Sequence, residues 1–180
     1  GVPVEEGEFY SCMERMKAGD KSALHEIYHA YIGYIYTIIL QIVQNREDAE
    51  DLTSEFFIKL WRLSHTYQEG KGHRAWLAVI ARNMAFDLMR RRKKECLSND
   101  LTDGVSEKAS DEDLEKKVIA DITLKAVLEL LKPKEREIIH LKILGELTFQ
   151  EIADILKIPL GTVTWRYHNA IKKLRRHGYE

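Results

Sequence analysis

The sequence contains few of the residues that cross-link a chain or hold it in a membrane. Its 2 cysteines, Cys12 and Cys96, stand far apart in the 180 residues, which excludes a disulfide framework and the paired-cysteine zinc motifs. Such sparing use of cysteine is typical of the reducing cytosol. The longest uncharged apolar run, residues 30–43, is shorter than the ~20 residues that span a bilayer. We therefore expect a cytoplasmic protein with no signal peptide and no membrane insertion.

Proline and strand-like alternation are scarce as well. The 3 prolines, Pro3, Pro133 and Pro159, stand at the edges of helical patterns, where proline is tolerated. Apolar residues recur at helical spacing almost throughout, so the sequence predicts an all-α protein. Asp20 is the expected N-cap of the second helix. The predicted helices span residues 8–18, 21–43, 46–63, 73–93, 116–130, 134–144, 148–156 and 162–176.

The motifs of common enzyme classes are missing. No Ser or Cys nucleophile stands beside a His, and there is no Walker loop and no G-x-G-x-x-G. Residues 25–29 read HEIYH, which fits the H-E-x-x-H pattern of zinc proteases. The extended form of that motif places Gly and His where this chain has Ile32 and Ile35. We expect no catalytic residue, no metal and no cofactor, with a zinc metalloprotease as the remote alternative.

The formal net charge of -1 conceals separate charged segments. Residues 59–94 contain ten Lys or Arg and two acids, and residues 157–177 contain six Lys or Arg and no acid. Residues 47–55 contain five acids and no base. Because Lys and Arg neutralise phosphates, which supplies most of the sequence-independent affinity for nucleic acid, the two basic segments predict two contacts with one polyanion.

A polar, acidic segment separates these two halves. Residues 95–115 read ECLSNDLTDGVSEKASDEDLE and hold too few large apolar side chains to offset the entropy cost of ordering. We predict a flexible acidic linker there, between a first small helical domain at 8–94 and a second at 116–177.

The second domain contains a helix-turn-helix pattern at 147–176, LTFQEIADILKIPLGTVTWRYHNAIKKLRR. Thr148 and Glu151 have capping-box spacing, and Ala153 is small where two helices cross. The outward face of the second helix has Arg and Asn to read base edges and Lys to bind phosphates in a major groove. Its predicted DNA-contacting residues are Thr164, Trp165, Arg166, His168, Asn169, Lys172 and Lys173. An ordinary helical hairpin with a solvated basic face is the alternative.

Three stretches resemble bacterial sigma factors. Residues 131–176 resemble region 4, which reads the promoter element near minus thirty-five, through LKPKEREIIHLKILGELTFQEIADILKIPLGTVTWRYHNAIKKLRR. Residues 48–62 and 73–94, DAEDLTSEFFIKLWR and HRAWLAVIARNMAFDLMRRRKK, resemble region 2 of the small extracytoplasmic-function branch. The resemblance implies an alternative-type sigma factor that binds core RNA polymerase and directs promoter recognition, DNA melting and transcription initiation. It leaves open whether an anti-sigma factor exists.

The resemblance also implies roles for particular residues. The acidic helix at 46–63 would bind the clamp coiled coil of the largest polymerase subunit, and the loop at 64–73 would capture a flipped base of the minus-ten element with Asn83. The implied polymerase-binding residues are Asp48, Asp51, Glu55 and Trp61. The implied minus-ten DNA-binding residues are Arg74, Trp76, Arg82, Asn83, Arg90 and Arg91. The outward face of the helix-turn-helix would contact the minus-thirty-five element.

Simpler interpretations exist for several of these features. The acidic helix can be a solvated face, Trp76 can be a core residue, and the linker can be a tether instead of a segment that threads the polymerase channel. A helix-turn-helix regulator that acts without core polymerase would explain the second domain but leaves the first without a role. Trp165, Tyr167 and His168 are bulky for a recognition helix, so the promoter sequence is not predictable by analogy.

Overall fold

The computed structural model describes residues 4–98, 126 and 128–178. These residues form helices and connecting turns and contain no strand, which confirms the predicted all-α class. They divide into two compact units at Lys94, apart from residues 144–147, which group with the first unit. Most of the predicted linker and of the helix predicted at 116–130 lies outside the described residues.

Within residues 4–98 the chain forms four α-helices, and a short 3-10 turn at Ser64–Thr66 follows the third. The helices are α1 at Glu6–Lys17, α2 at Lys21–Val43, α3 at Arg46–Leu63 and α4 at His73–Ser98. The Asp20 side chain accepts a hydrogen bond from the Ser22 amide at 2.9 Å, as predicted. The Asn45 side chain likewise accepts from the Asp48 amide at 3.0 Å. These caps satisfy N–H groups that a helix leaves open, so they determine where α2 and α3 begin.

The end of α4 differs from the prediction. The helix continues to Ser98, beyond the predicted end at residue 93, because the Lys and Glu residues that follow are straight-chain helix formers. Residues 90–98 are exposed. The basic run Arg90–Lys94 therefore lies on a helical extension that is open to solvent.

The core of the first unit is built from large apolar side chains of all four helices. Its most buried members include Phe9, Met13, Ile27, Ile35, Ile39, Phe56, Leu60 and Leu77. Tyr28 of α2 lies at the edge of this core, with 37% of it exposed. Its ring lies against Phe57 with centroids 5.0 Å apart. An amphipathic tyrosine at the edge of a core buries its ring and leaves its hydroxyl near water.

The second unit contains the helix-turn-helix. Helix α5 spans Pro133–Ile139 and continues as a π-helical turn at His140–Leu144, so the helix predicted at 134–144 is present but its second half is π-helical. Helix α6 spans Phe149–Leu156, and α7 spans Leu160–Arg176. The predicted capping box is present, since the Glu151 amide donates to Thr148 Oγ1 at 3.1 Å and the Thr148 amide donates to Glu151 Oε1 at 3.0 Å.

Small and aliphatic side chains pack α7 onto the helices before it. Ile152 and Val163 are fully buried and Ala153 nearly so, which permits the close helix crossing that was predicted. A cluster of Leu131, Ile139 and Ala170 packs one side of α7. The opposite side of α7 is left for other contacts.

Candidate polymerase and nucleic-acid interfaces

The acidic helix α3 presents its predicted polymerase-binding residues in two different states. Asp51 and Glu55 are exposed, and Trp61 is partly buried. Only 16% of the Asp48 side chain is exposed, because Arg92 of α4 donates to both of its carboxylate oxygens. Asp48 is therefore already bound by the basic extension of α4.

An open groove between α3 and α4 brings two predicted site residues together. Its lining includes the apolar side chains of Leu52, Ile58 and Met84 and the charged side chains of Glu55 and Arg91. Ile58 is 58% exposed, so the groove has an unusually open apolar wall. Glu55 was predicted to bind polymerase and Arg91 to bind minus-ten DNA.

One face of α4 carries three of the predicted minus-ten residues. Trp76, Asn83 and Arg90 are spaced seven residues apart and therefore lie along one side of the helix. Asn83 and Arg90 are exposed, whereas Trp76 is partly buried. Arg90 donates to Asp87 at 2.6 Å, so its charge is partly balanced.

The other predicted minus-ten arginines occupy different environments. The guanidinium of Arg82 lies 5.2 Å from the ring centroid of Phe86, a cation–π distance. Arg91 is exposed, and Arg74 is partly buried in the first turn of α4. The carbonyl of Arg74 accepts a hydrogen bond from the Tyr34 hydroxyl at 3.1 Å. Arg74 is thus held closer to the core of the unit than Arg91.

The loop between α3 and α4 is bound by a carboxylate that the sequence did not reveal. Glu6, in the first turn of α1, accepts hydrogen bonds from the Gly70 amide at 3.2 Å and the His73 amide at 3.1 Å. It also contacts His73 Nδ1 at 2.5 Å and accepts from the Tyr67 hydroxyl. His73 Nε2 lies 2.5 Å from the Tyr31 hydroxyl. We call Glu6, Tyr31, Tyr67 and His73 the Glu6 network.

Electrostatics favour the ionised form of Glu6. Burial raises the pKa of the Glu6 carboxyl, but the hydrogen bonds from Tyr67 and His73 outweigh this and lower it to about 2. Burial, together with the nearby Glu6, raises the pKa of the Tyr67 phenol. At neutral pH the network therefore contains a carboxylate and a neutral phenol donor.

The recognition helix α7 divides its predicted DNA-contacting residues between two sides. Trp165 is 68% exposed, His168 and Lys172 are exposed, and Arg166 is partly exposed. The Thr164 hydroxyl hydrogen-bonds the Leu160 and Gly161 carbonyls of its own helix at 3.2 and 3.1 Å. Side chains of Trp165, His168 and Lys172 are the ones most open to a partner.

Asn169 and Lys173, also predicted to contact DNA, bind a buried acid instead. Glu135 of α5 accepts from Asn169 Nδ2 at 3.1 Å and from Lys173 Nζ at 2.8 Å. The same carboxylate caps its own helix by accepting from the Lys132 amide at 3.0 Å. Burial raises the pKa of Glu135, but Lys173 and the other donors outweigh it and lower that pKa. Their predicted role in DNA binding stays a prediction.

His25 and His29, the metal-ligand pair of the HEIYH pattern, are exposed on α2. Their Nε2 atoms lie 2.8 Å apart. Among the residues that the structure describes, no group of three or more His, Cys, Asp or Glu side chains could hold a metal ion.

Comparison with known proteins assigns both units to one family. Residues 27–95 match the family model of Sigma-70 region 2, and residues 127–176 match that of Sigma-70, region 4. The ECF RNA polymerase sigma factor SigW of Bacillus subtilis is 29% identical over 174 residues, covering 91% of this chain and 93% of SigW. The chain belongs to the extracytoplasmic-function (ECF) sigma factors.

Other relatives agree with this ECF assignment. The ECF RNA polymerase sigma factor SigE of Mycolicibacterium smegmatis is 31% identical over 163 residues, covering 87% of this chain but 63% of that longer protein. Two solved structures share the fold. The sigma factor RpoE of Bartonella quintana, in complex with the anti-sigma factor NepR, has a TM-score of 0.60 at 22% identity and covers 84% of this chain and 94% of its own. CnrH, in complex with the cytosolic domain of CnrY, has a TM-score of 0.62 at 18% identity and covers 94% of this chain and 96% of its own.

The family assignment decides the overall function. An ECF sigma factor is an alternative sigma factor that directs promoter recognition and transcription initiation, with core RNA polymerase and promoter DNA as its partners. Sigma factors are not enzymes, and the family assignment therefore gives no support to the zinc protease interpretation of residues 25–29. The regulator without polymerase binding is wrong, because residues 27–95 match sigma region 2. No helix in the described part of the chain has the length and hydropathy to cross a bilayer.

Proposed function

We propose that the first domain, residues 8–94, binds core polymerase and opens the minus-ten element, and that the second, residues 116–177, binds the minus-thirty-five element. The observation that carries the proposal is the exposed surface of α4, where Asn83 and the Arg90–Lys94 run lie open to solvent. Amide and guanidinium groups supply what single-stranded DNA requires, namely hydrogen bonds to base edges and neutralised phosphates.

The polymerase contact is assigned to α3. Asp51 and Glu55 are one helical turn apart and exposed, so both carboxylates face the same partner. Asp48 and Trp61 extend the contact along the helix, in agreement with the sequence prediction. Asp48 exchanges its bond with Arg92 for a bond to polymerase in this arrangement.

The minus-ten contact is assigned to α4 and the loop before it. The partly buried Trp76 packs against the loop residue Tyr67, with ring centroids 5.0 Å apart, and offers aromatic surface on the same face of α4 as Asn83. Aromatic rings stack with unpaired bases at a gain of about 1–3 kcal/mol per base. The assigned set remains the predicted one, Arg74, Trp76, Arg82, Asn83, Arg90 and Arg91.

The minus-thirty-five contact is assigned mainly to the outward side of α7. Trp165, Arg166, His168 and Lys172 face solvent wholly or in part, and Thr164 is close to the N-terminal end that enters a major groove. The indole N–H of Trp165 is a donor that pairs with purine N7 or guanine O6, and its ring provides apolar contact for thymine methyl groups.

Two broader roles follow from the relatives. NepR binds RpoE and the cytosolic domain of CnrY binds CnrH; we propose that an anti-sigma factor likewise holds this chain inactive. We also propose that the chain acts in the cytoplasm, where polymerase and promoters meet. It needs no cofactor and no catalytic residue of its own, because phosphoryl transfer belongs to the polymerase.

Binding to core polymerase tests the α3 assignment. The double variant Asp51→Lys/Glu55→Lys is expected to weaken core binding at least tenfold, because charge reversal at an interface replaces attraction with repulsion. The matched variant Glu8→Lys/Glu14→Lys reverses the same charge on the exposed side of α1 and is expected to bind core normally. Equal affinities of the two variants would show that α3 does not contact polymerase.

Promoter mapping tests the function as a whole. Holoenzyme reconstituted from this chain and core polymerase is expected to start transcription at a small set of genomic sites that share a minus-thirty-five and a minus-ten element. Start sites identical to those of core polymerase alone would contradict the proposed roles of both domains.

A further inference from the structure

Four donors from one loop converge on the carboxylate of Glu6. The Tyr67 hydroxyl, the Gly70 amide, the His73 amide and the His73 ring all bind it. The donors lie 61 to 67 positions away in sequence. A single side chain of α1 therefore determines where residues 67–73 run.

The loop needs such a partner because it has little regular structure of its own. Gly70 and Gly72 have φ angles of +83° and +77°, a region that glycine alone adopts without strain. Glycine-rich loops lose much entropy on ordering, so external hydrogen bonds must offset that loss. Bonds to an ionised acceptor are about twice as strong as bonds between neutral groups.

The network continues from the loop into α4. The ring of His73 lies flat on Phe9, with centroids 4.5 Å apart and an interplanar angle of 22°. Its two nitrogens contact Glu6 and Tyr31, which fixes the ring on both edges. His73 is the first residue of α4, so the network also fixes the direction in which α4 and Trp76 begin.

The loop and Trp76 together enclose a shallow surface depression. It is lined by Thr66, Tyr67, Gln68, Lys71 and Trp76. Aromatic walls, an amide and a lysine are the groups that an unpaired base and its phosphate require. Tyr67 is only 5% exposed, and its hydroxyl is bonded to Glu6, so the acid underlies one wall of this depression.

We infer that Glu6 is a positioning residue for promoter opening: its carboxylate holds residues 67–73 in the conformation that receives an unpaired base of the minus-ten element. The inference rests on the proposed role of this loop in the minus-ten contact. Glu6 itself touches no DNA in this arrangement. It acts through Tyr67, Gly70 and His73.

The variant Glu6→Gln tests the inference because it keeps the size of the side chain and removes its charge. Glu8→Gln, an exposed acid of the same helix, is the matched control. Two measurements are needed: hydrogen exchange of the Gly70 and His73 amides in the free protein, and binding of holoenzyme to a fluorescent single strand. That strand carries the non-template minus-ten sequence of a promoter found by start mapping.

In Glu6→Gln the two amides are expected to exchange at least tenfold faster, and the single strand to bind about tenfold more weakly, while core affinity changes less than twofold. Glu8→Gln is expected to match the natural protein in amide exchange, single-strand binding and core affinity. Tyr67→Phe removes one donor, leaves Glu6 charged, and is expected to weaken binding of the single strand about two- to fivefold. This variant replaces Glu6→Gln in the test if Glu6→Gln does not fold.

The outcomes separate this inference from the proposed function. Unchanged amide exchange in Glu6→Gln, or faster exchange with unchanged single-strand affinity, overturns the positioning role. Faster exchange combined with a natural holoenzyme that does not bind the single strand overturns the minus-ten assignment of the loop and leaves Glu6 as an anchor of the fold alone.

Discussion

In the first unit the α3–α4 loop is bound by Glu6, and in the second unit the recognition helix α7 is bound by Glu135. Both acids lie in the first turn of an upstream helix, and both accept several hydrogen bonds. Glu6 is one-third exposed and binds a phenol, two amides and a histidine ring, whereas Glu135 is almost fully buried and binds a lysine and an asparagine. The two proposed DNA-binding elements are thus positioned by the same kind of group with different partners.

This difference determines how each anchor responds to change. A buried acid paired with a cation leaves an uncompensated charge when either partner is removed, which costs about 3–5 kcal/mol in fully buried pairs. Removal of an acid that binds mainly neutral donors breaks hydrogen bonds, and their combined loss lowers the free energy of unfolding by about 1–3 kcal/mol. The second unit should therefore be more sensitive to loss of its anchor than the first.

The largest effect is expected for Glu135→Ala. Loss of the carboxylate leaves Lys173 and Asn169 without their buried acceptor, and we expect a loss of about 3 kcal/mol in the free energy of unfolding of the second unit. The measurement is urea unfolding of the full chain followed by hydrogen exchange of α5 and α7. Asp154→Ala, on the exposed side of α6, is the control and should cost less than about 0.5 kcal/mol. Similar losses in the two variants would show that Glu135 is not an anchor.

The second-largest effect is a loss of stability of the first unit at low pH. The folded-state pKa of Glu6 is about 2, below its ordinary value of 4.5. The stabilisation is therefore fully present above pH 4.5 and is lost as the pH falls toward 2. Since a third of the side chain is exposed, water screens part of the effect, and we expect about 1–2 kcal/mol. Unfolding measured between pH 7 and pH 2 should show this loss in the natural chain and a smaller loss in Glu6→Gln.

Neither anchor could have been predicted from the sequence. An acid in the first turn of a helix is expected anyway because it interacts favourably with the helix dipole, so Glu6 and Glu135 look ordinary. Their partners are 61 to 67 and 34 to 38 positions away. Local features were predictable, because the Asp20 cap and the box of Thr148 and Glu151 depend on residues two or three positions apart.

The direction of side chains on α7 was harder to predict than the helix itself. Asn169 was predicted to read base edges and Lys173 to bind phosphate, because both are polar residues of the basic second helix. The structure turns them toward Glu135 because a buried acid needs donors and these two are within reach. Polarity alone does not reveal whether a flanking residue faces DNA or a buried partner.

A pair of neighbouring lysines makes this distinction measurable. Lys173→Met removes the cation bound to Glu135 and is expected to lower the free energy of unfolding by about 2 kcal/mol, less than in a fully buried pair because Lys173 is 31% exposed and Asn169 still donates to the carboxylate. Lys172→Met leaves stability unchanged but weakens promoter binding and reduces its salt dependence by about one counterion. Both are measured by unfolding and by binding of holoenzyme to promoter DNA at several salt concentrations. If Lys173→Met changes the salt dependence as much as Lys172→Met does, Lys173 contacts DNA directly.

The smallest effect on stability is expected for the ion pair between Asp48 and Arg92, because Arg92 lies at the surface. Arg92 is 44% exposed, so the pair is screened and contributes about 0–1 kcal/mol. Arg92→Ala should leave the free energy of unfolding nearly unchanged and should free Asp48, raising core polymerase affinity up to about threefold if Asp48 contacts polymerase. Asp48→Asn should lower that affinity in the same titration. Lower core affinity in Arg92→Ala would mean that this pair, like Glu6 and Glu135, positions its helix for binding.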